Sequence, residues 1–337
     1  MAQPYRLDRG GRIDRSRPLD FTFNGRRYTG YAGDTLASAL IANGVHLIGR
    51  SFKYHRPRGH LSAGAEEPAV IQLGEGAYTV PDVRATQAEL HQDLAANSVH
   101  AWPSVNFDLY GLNQYASKLI PAGFYYKTFM WPAKAWHFYE QRIRAAAGLG
   151  HAPEEPDPDF YDKRFAHTDV LVAGAGPAGL AAALSASRAG ARVILADEQG
   201  EMGGSLLSRH HEIDGKPALD WVDDALAELH ANPDVRVLPR ALVFGYYDHN
   251  WVDLLESLTD HLADKPKDVP RQRMWKVRAK HVVIAQGAIE RPLVFQDNDR
   301  PGTMLASGVQ SYINRWAVKP GEKAVVYTNN DSAYAAV

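Results

Sequence analysis

The sequence predicts a chain in two parts, an α+β region followed by an α/β region. In the first part, "FTFNGRRYTGYAGDTLASALIANGVHLI" alternates apolar and polar residues about Asn24-Gly25 and then changes to helical spacing. In the second part, "DVLVAGAGPAGLAAALSASRAGARVILADE" has the order strand, glycine-rich turn, helix and strand. These two patterns carry the prediction of fold class.

The first part is expected to begin as a β-hairpin followed by a helix. Asn24-Gly25 is the strongest short hairpin signal, and residues 28–31 return as the second strand. Asp34 or Thr35 then caps a helix. A hairpin followed by a helix is the start of a ferredoxin-like β-grasp domain, which we assign to residues 1–101.

A basic loop, "RSFKYHRPRGHLSAGAEEP", follows this helix. Two interpretations of residues 50–59 stay open. The cationic side chains of Arg50, Lys53, Arg56 and Arg58 form a solvated surface, or the loop faces a partner or an anion.

Residues 102–166 form a segment dense in aromatic side chains, including "IPAGFYYKTFMWPAKAW". No helical or strand period orders this stretch. It is too apolar for a solvated linker, so we expect it to pack within the chain or against another subunit. "EEPDPDFYDKR" marks a boundary before the second part.

The second part opens with a strand, residues 169–173, that leads into the turn G-x-G-x-x-G. Gly174 permits the tight turn, Gly176 lets the backbone approach a pyrophosphate, and Gly179 lets the helix pack close to the strand. The phosphates would lie at the helix N-terminus. The predicted contacts are Gly174, Ala175, Gly176, Pro177, Ala178 and Gly179.

A second strand, residues 191–196, is followed by Asp197 and Glu198, where a carboxylate can bind ribose hydroxyls. Strand, turn, helix and acid in this order predict a dinucleotide site. The alternative is a Rossmann-like unit that has lost its ligand.

The remaining second part adds a helix at 221–229 and strands at 235–238 and 241–247. "MWKVRAKHVVIAQGAIERP" is expected to supply two more strands, which indicates a β-meander crossover inside a Rossmann-like domain. We assign this domain to residues 167–337, incomplete at its C-terminus, with a strand at 325–327. The following "TNNDSA" has no glycine for a second dinucleotide turn.

Composition excludes several function classes for these 337 residues. A formal net charge of −2 gives no sign of a nucleic-acid partner. No apolar run approaches the roughly 20 residues of a transmembrane helix, so a cytoplasmic location is expected. The count of zero cysteines excludes disulfides, thiolate nucleophiles and cysteine-ligated clusters within this sequence. No metal motif occurs, and His210-His211 is interpreted as a polar loop pair.

The motifs "SFKYHRPRG", "FDLYGLNQYASKLIPAGFYYKTFMWP", "GAGPAG", "DEQGEMGG" and "HVVIAQGAIERPLVFQDNDRPG" resemble the N-terminal part of the alpha subunit of heterotetrameric sarcosine oxidase. The resemblance extends over nearly the whole chain. It places the sequence in the superfamily of two-dinucleotide-binding FAD/NAD(P) oxidoreductases. Subunits of opine and proline dehydrogenases share parts of this plan, and the family's folate-binding domain would lie outside these residues.

This resemblance implies cofactors and partners. It implies NAD⁺ in the Rossmann-like site, where the motif alone leads to FAD as the alternative, and FMN and FAD on or near the beta subunit. It also implies partner beta, gamma and delta subunits, with sarcosine and tetrahydrofolate as substrates of the complex. Relatives can carry a [2Fe-2S] cluster on cysteines after the basic loop, whereas this chain has "HLSAGAEEP", so no cluster is expected.

The resemblance also extends the site. Glu198 lies five residues before Gly203, the spacing expected of the ribose carboxylate, and is favoured over Asp197. Leu242 would offer backbone contact to adenine, and Gln286 replaces the usual Thr of the family. The added residues are Asp197, Glu198, Gln199, Gly203, Gly204, Leu242, Ala285, Gln286 and Gly287.

The function implied is that of an oxidoreductase subunit in the oxidative demethylation of sarcosine to glycine with flavin and O₂. The catalytic residues would lie on the partner subunit, and none is expected here. The alternatives are an FAD-dependent NAD(P)H or opine/proline-type dehydrogenase subunit that transfers electrons, and a module in which the nucleotide only stabilises the fold.

Overall fold

A computed structural model describes residues 3–116, 123, 131–148 and 150–336. The chain divides into two compact units. The first comprises residues 1–157 together with 290–337, and the second comprises residues 158–289.

This division corrects the predicted boundaries, in which residues 167–337 formed one domain. The C-terminal helix Ala306–Trp316 belongs to the first unit, where Tyr312 and Trp316 complete the core with Phe21 and the first helix. An amphipathic helix packs where its apolar face is buried most completely, whatever its place in the sequence.

The first unit has the predicted β-grasp topology. Its five-stranded sheet has the order β2-β1-β7-β5-β6, in which β1 and β7 are parallel and the other neighbours antiparallel. Its elements are β1 Asp14–Phe23, β2 Arg26–Ala32, α1 Leu36–Ala42, β3 Gly49–Arg50, β4 Pro57–Arg58, β5 Ile71–Leu73, β6 Val80–Val83, β7 Leu94–Ser98, α2 Trp136–Ala147 and α5 Ala306–Trp316.

The predicted hairpin and helix cap are confirmed. Asn24 and Gly25 have φ of 50° and 73°, as a hairpin turn with two left-handed residues requires. Thr35 is the N-cap of α1 and forms a capping box with Ser38. Asp34, the other candidate, is buried, where it accepts from the Ser38 hydroxyl at 2.6 Å and pairs with Arg6.

The basic loop is bound within its own unit. Arg56 forms ion pairs with Asp297 and Asp299, and Arg58 also pairs with Asp299. These contacts hold the pKa of the Asp299 carboxyl well below its usual range. These two arginines are therefore not the free solvated surface of the first interpretation, and the interpretation of the loop as facing a partner or an anion stays a prediction.

The prediction for the aromatic stretch stays open. Residues 117–122 and 124–130, which carry most of "IPAGFYYKTFM", lie outside the described residues. Nearby described side chains such as Trp102, Phe107, Tyr115 and Trp131 are exposed.

A buried carboxylate organises the loop between β4 and β5. Glu67 is 1% exposed and accepts backbone N–H groups of Leu61, Ser62 and Ala69. Burial raises the pKa of this carboxyl from 4.5 to about 7, against the three hydrogen bonds, which favour the charged form.

The stability of the first unit is therefore expected to fall as pH rises through neutrality. The folded state holds a proton on Glu67 that the unfolded state releases, so its contribution is complete below the unfolded pKa of 4.5 and is lost through about 7. The change is on the order of 3 kcal/mol. Melting temperatures of the wild type and Glu67→Gln, compared across this range, should show the decline in the wild type alone. Parallel curves would contradict this.

The second unit is a Rossmann-like sheet with the predicted β-meander crossover. Its strand order is β12-β9-β8-β15-β14-β13, in which β12, β9, β8 and β15 are parallel and β15, β14 and β13 are antiparallel neighbours. Its elements are β8 Tyr161–Ala173, α3 Pro177–Arg188, β9 Val193–Ala196, β10 Glu212–Ile213, β11 Lys216–Pro217, α4 Ala218–Ala231, β12 Val235–Leu238, β13 Ala241–Tyr247, β14 Trp251–Ser257 and β15 Gln272–Ile284.

Alternate residues of β8 serve the two faces of this sheet. Val172 joins the cluster beneath α3 and α4, whereas Leu171 and Ala173 join the cluster formed with the meander strands. The strand is therefore apolar throughout its C-terminal end, as the sequence predicted for a buried parallel strand.

Two strand predictions were wrong in detail. The stretch expected to give two strands forms the single strand β15, because β15 pairs with the equally long β8 from Gln272↔Tyr161 to Ile284↔Ala173. The predicted strand at 325–327 is irregular, and Val325 is 97% exposed.

Among the described residues, no helix is long and apolar enough to cross a membrane.

Candidate functional site

The glycine-rich turn joins β8 to α3 at the C-terminal edge of the sheet. Gly174 has φ of 103°, and its N–H donates to the carbonyl of Ala196 at 2.8 Å. A Cβ at Gly174 would overlap the carbonyl oxygen of Ala285, and a Cβ at Gly179 would overlap the carbonyl oxygen of Gly174. Both glycines are therefore required by the backbone itself.

Gly176 has a different reason to be glycine. Its φ is −72°, which any residue adopts, and an added Cβ would meet only the Cα of Gly204 at 3.9 Å. The protein thus leaves space in front of this backbone. Close approach of a ligand is the use that the fingerprint assigns to it.

The N-terminus of α3 opens at the same place. Gly176 is the N-cap and offers no side-chain cap, and Pro177 occupies the first turn. The first N–H groups of a helix, here those around Ala178 and Gly179, have no acceptor within the helix. With the helix dipole they form a site suited to phosphate.

A second glycine pair lies against this turn. The N–H of Gly203 donates to the carbonyl of Ala175 at 2.9 Å, and Gly203 and Gly204 have φ of 127° and 54°. A Cβ on Gly204 would stand 2.8 Å from the Cα of Gly176. The "GEMGG" segment therefore forms the other wall of the turn.

The two predicted carboxylates have different surroundings. Oδ2 of Asp197 accepts the N–H of Ala175 at 2.6 Å, and Oδ1 accepts the N–H of Gln199 at 2.8 Å. Glu198 is exposed to solvent. The spacing argument favoured Glu198, whereas the contacts direct Asp197 to the glycine turn.

The sequence did not predict that Asp197 accepts hydrogen bonds from the backbone of Ala175 and Gln199. Its bond to Gln199 is an Asx-turn, for which Asp followed by a polar residue is an available signal. The bond to Ala175, 22 positions away, has no local signal.

The remaining predicted residues meet at the same edge. The N–H of Ala285 donates to Ala173, which brings the end of β15 beside the turn, and Gln286 and Gly287 follow it on the surface. Leu242 is exposed and follows Ala241, whose N–H donates to the carbonyl of Asp197 at 2.7 Å. All predicted positions thus lie in the second unit around the ends of β8, β9, β13 and β15.

This arrangement fits a dinucleotide. It provides a glycine cradle that side chains would fill, an uncapped helix N-terminus for the pyrophosphate and carboxylates beside the turn for a ribose.

Two protein families match parts of the chain. The family described as "FAD dependent oxidoreductase" matches residues 169–235, which contain the glycine turn, α3 and β9. The family described as "2Fe-2S iron-sulfur cluster binding domain" matches residues 16–101, the β-grasp sheet and its loops.

The residues of the first unit do not fit an iron–sulfur cluster, although the fold matches. The sequence contains no cysteine. The described residues contain no group of three or more His, Asp or Glu side chains that could hold a metal ion. Cluster binding needs thiolates, with histidine as the occasional substitute.

Curated relatives match nearly the whole chain. "Sarcosine oxidase subunit alpha" of Rhizobium meliloti (strain 1021) is 53% identical over 98% of this chain and 34% of its own length. "Sarcosine oxidase subunit alpha" of Corynebacterium sp. (strain U-96) is 41% identical over 100% of this chain and 31% of its own length. The chain therefore spans about a third of the curated relatives it matches.

A solved structure supports the fold. L-proline dehydrogenase from P.horikoshii superposes with a TM-score of 0.60 at 19% identity, covering 95% of this chain and 50% of that one. Fold, family matches and sequence identity agree. The chain is similar to the sarcosine oxidase alpha subunits over about a third of their length, and its residues 169–235 match the FAD dependent oxidoreductase family.

Proposed function

We propose that this chain binds NAD⁺ at the glycine turn, as the dinucleotide-binding part of the alpha subunit of a cytoplasmic sarcosine oxidase. The observation that carries the proposal is the open space before Gly176 at the uncapped end of α3, in a chain 53% identical to such a subunit. The complex would demethylate sarcosine to glycine with flavin and O₂, and would pass the one-carbon unit to tetrahydrofolate.

Within this proposal the chain binds and positions, and the amine chemistry belongs to a partner subunit. The N–H groups at the start of α3 hold the pyrophosphate, and Asp197 fixes the turn beside which the adenosine ribose would bind. FMN and FAD act on or near the beta subunit, and the gamma and delta subunits complete the assembly. Bound NAD⁺ would be a hydride acceptor in principle, and we propose that it stays oxidised here.

Addition of sarcosine to the purified complex tests this role. We expect the flavin absorbance to bleach while no NADH absorbance develops, and the bound NAD⁺ to be recovered unchanged after turnover. The control is the same complex given glycine, which should leave the flavin oxidised. Formation of NADH on sarcosine addition would refute a non-redox role.

FAD is the second candidate for the same site. The match of residues 169–235 to the FAD dependent oxidoreductase family favours it, and the ribose carboxylate serves both nucleotides alike. With FAD bound here, the chain would be an electron-transferring subunit of the opine or proline dehydrogenase type. Flavin fluorescence released from this chain after denaturation would favour that alternative.

Substitution of the two carboxylates should distinguish their roles. Asp197→Asn replaces a charged acceptor of two backbone N–H groups, whereas Glu198→Gln changes an exposed side chain. We expect Asp197→Asn to weaken nucleotide binding by about 10- to 100-fold, from the loss of charge-assisted hydrogen bonds, and Glu198→Gln to weaken it less. Titration of nucleotide-free protein measures both. If Glu198→Gln weakens nucleotide binding more than Asp197→Asn does, the ribose carboxylate is Glu198, as the spacing indicated.

A further inference from the structure

The loop between β4 and β5 closes on one carboxylate. Oε2 of Glu67 accepts the N–H groups of Leu61 at 2.8 Å and Ser62 at 3.1 Å, and Oε1 accepts the N–H of Ala69 at 3.3 Å. A single side chain thus gathers backbone donors from both ends of the loop. Successive inward N–H groups of this kind form a concavity suited to an anion.

Neighbouring elements hold the outside of the same loop. Nε of Arg84 donates to the carbonyl of Glu67 at 2.9 Å, and the hydroxyl of Thr86 donates to the carbonyl of Gly64 at 2.8 Å. From α5, the buried hydroxyl of Tyr312 donates to the carbonyl of Ser62 at 2.8 Å. These contacts fix the loop from outside, and Glu67 supplies the acceptor inside.

The packing around the loop is close. Ser62 and Glu67 are buried, and a Cβ on Gly308 of α5 would come within 3.2 Å of the Cα of Ser62. The loop lies inside residues 16–101, which match the 2Fe-2S domain family, in a sequence without cysteine. The fold is therefore kept while the thiolate ligands are not present in this chain.

We propose that this loop is a carboxylate-binding site whose ligand is the chain's own Glu67, and that this internal carboxylate orders the loop in place of a metal cluster. The ligand class is a small monocarboxylate. Removing the side chain beyond Cβ leaves a space for an acetate-sized anion with three N–H donors directed into it. Buried donors without an acceptor destabilise the folded state, so the emptied site would bind such an anion.

The test is thermal denaturation of the full chain as wild type, Glu67→Ala and Glu67→Gln at about pH 8, above the pKa of about 7 at which the Glu67 carboxyl ionises. Each protein is melted in sodium acetate and in sodium chloride of equal ionic strength. We expect Glu67→Ala to melt roughly 5–10 °C below the wild type. Acetate at about 100 mM should raise the melting temperature of Glu67→Ala by roughly 2 °C. Glu67→Gln, which keeps one acceptor oxygen, should melt at an intermediate temperature and show no specific effect of acetate.

An unchanged melting temperature of Glu67→Ala, or an equal effect of acetate on all three proteins, would overturn the proposal. If Glu67→Ala does not fold, its refolding yield with acetate and with chloride replaces the melting experiment. A higher yield in acetate alone supports the proposal, and equal yields overturn it. Iron and acid-labile sulfide in the purified wild type should be absent, and a stoichiometric amount of both would also overturn it.

Discussion

Gly179→Ala is expected to prevent the second unit from reaching its native fold. The added methyl would overlap the carbonyl oxygen of Gly174, a residue whose own N–H donates to the carbonyl of Ala196. Neither atom can move without separating α3 from β8, which would expose buried residues such as Leu180 and Ala183. We expect a loss of more than about 4 kcal/mol, a large fraction of the stability of a domain.

Circular dichroism and thermal denaturation of Gly179→Ala measure this effect. Gly190→Ala is the matched control, because Gly190 ends the same helix and nothing lies within 4 Å of an added Cβ. Its φ of 79° makes alanine cost about 1–2 kcal/mol. If Gly179→Ala melts at the same temperature as the wild type, the turn differs from the one described.

Gly176→Ala is expected to keep the fold and lose the nucleotide. The backbone conformation at Gly176 suits alanine, and the new methyl would make only an ordinary contact with Gly204. The same methyl would occupy the space through which the pyrophosphate approaches the N-terminus of α3. We expect binding to weaken by on the order of 100-fold, or about 3 kcal/mol.

Two measurements separate an effect of Gly176→Ala on nucleotide binding from an effect on folding. They are the nucleotide content per chain and the melting temperature of the nucleotide-free protein. Ala181→Ser is the control, because it changes an exposed residue of the same helix outside the glycine turn. Full nucleotide content in Gly176→Ala would place the pyrophosphate elsewhere.

Local patterns predicted those parts of the fold that local physics controls. The hairpin at Asn24-Gly25, the cap at Thr35, the strand at 235–238 and the strand at 241–247 all follow from turn, cap and periodicity signals a few residues long. The glycine turn could also be predicted from the sequence, because backbone contacts at Gly174 and Gly179 leave no space for a Cβ.

Long-range partners decided the features that the sequence did not predict. Nothing near Trp316 indicates that its helix completes the core beside Phe21, which lies 295 positions earlier in the chain. Arg56 and its partner Asp299 are separated by 243 positions, so their ion pair has no signal in the basic loop itself. The continuous strand β15 likewise depends on the length of β8, its neighbour in the sheet.

The candidate site shows the same division. Its glycines and the pair Asp197-Glu198 could be found by spacing, and the structure brings them to one edge of the sheet. Spacing could not predict that Asp197, and not Glu198, contacts the turn. That difference depends on which carboxylate reaches the backbone N–H of Ala175.

The dinucleotide that we propose for the turn from Gly174 to Gly179 is NAD⁺. The most direct measurement is mass spectrometry of the small molecules released when the purified chain, with any subunits that co-purify, is denatured. We expect NAD⁺ in a ratio near one per chain. FAD in its place would contradict the assignment of NAD⁺ and favour an electron-transferring subunit, and the absence of any dinucleotide would contradict the site itself.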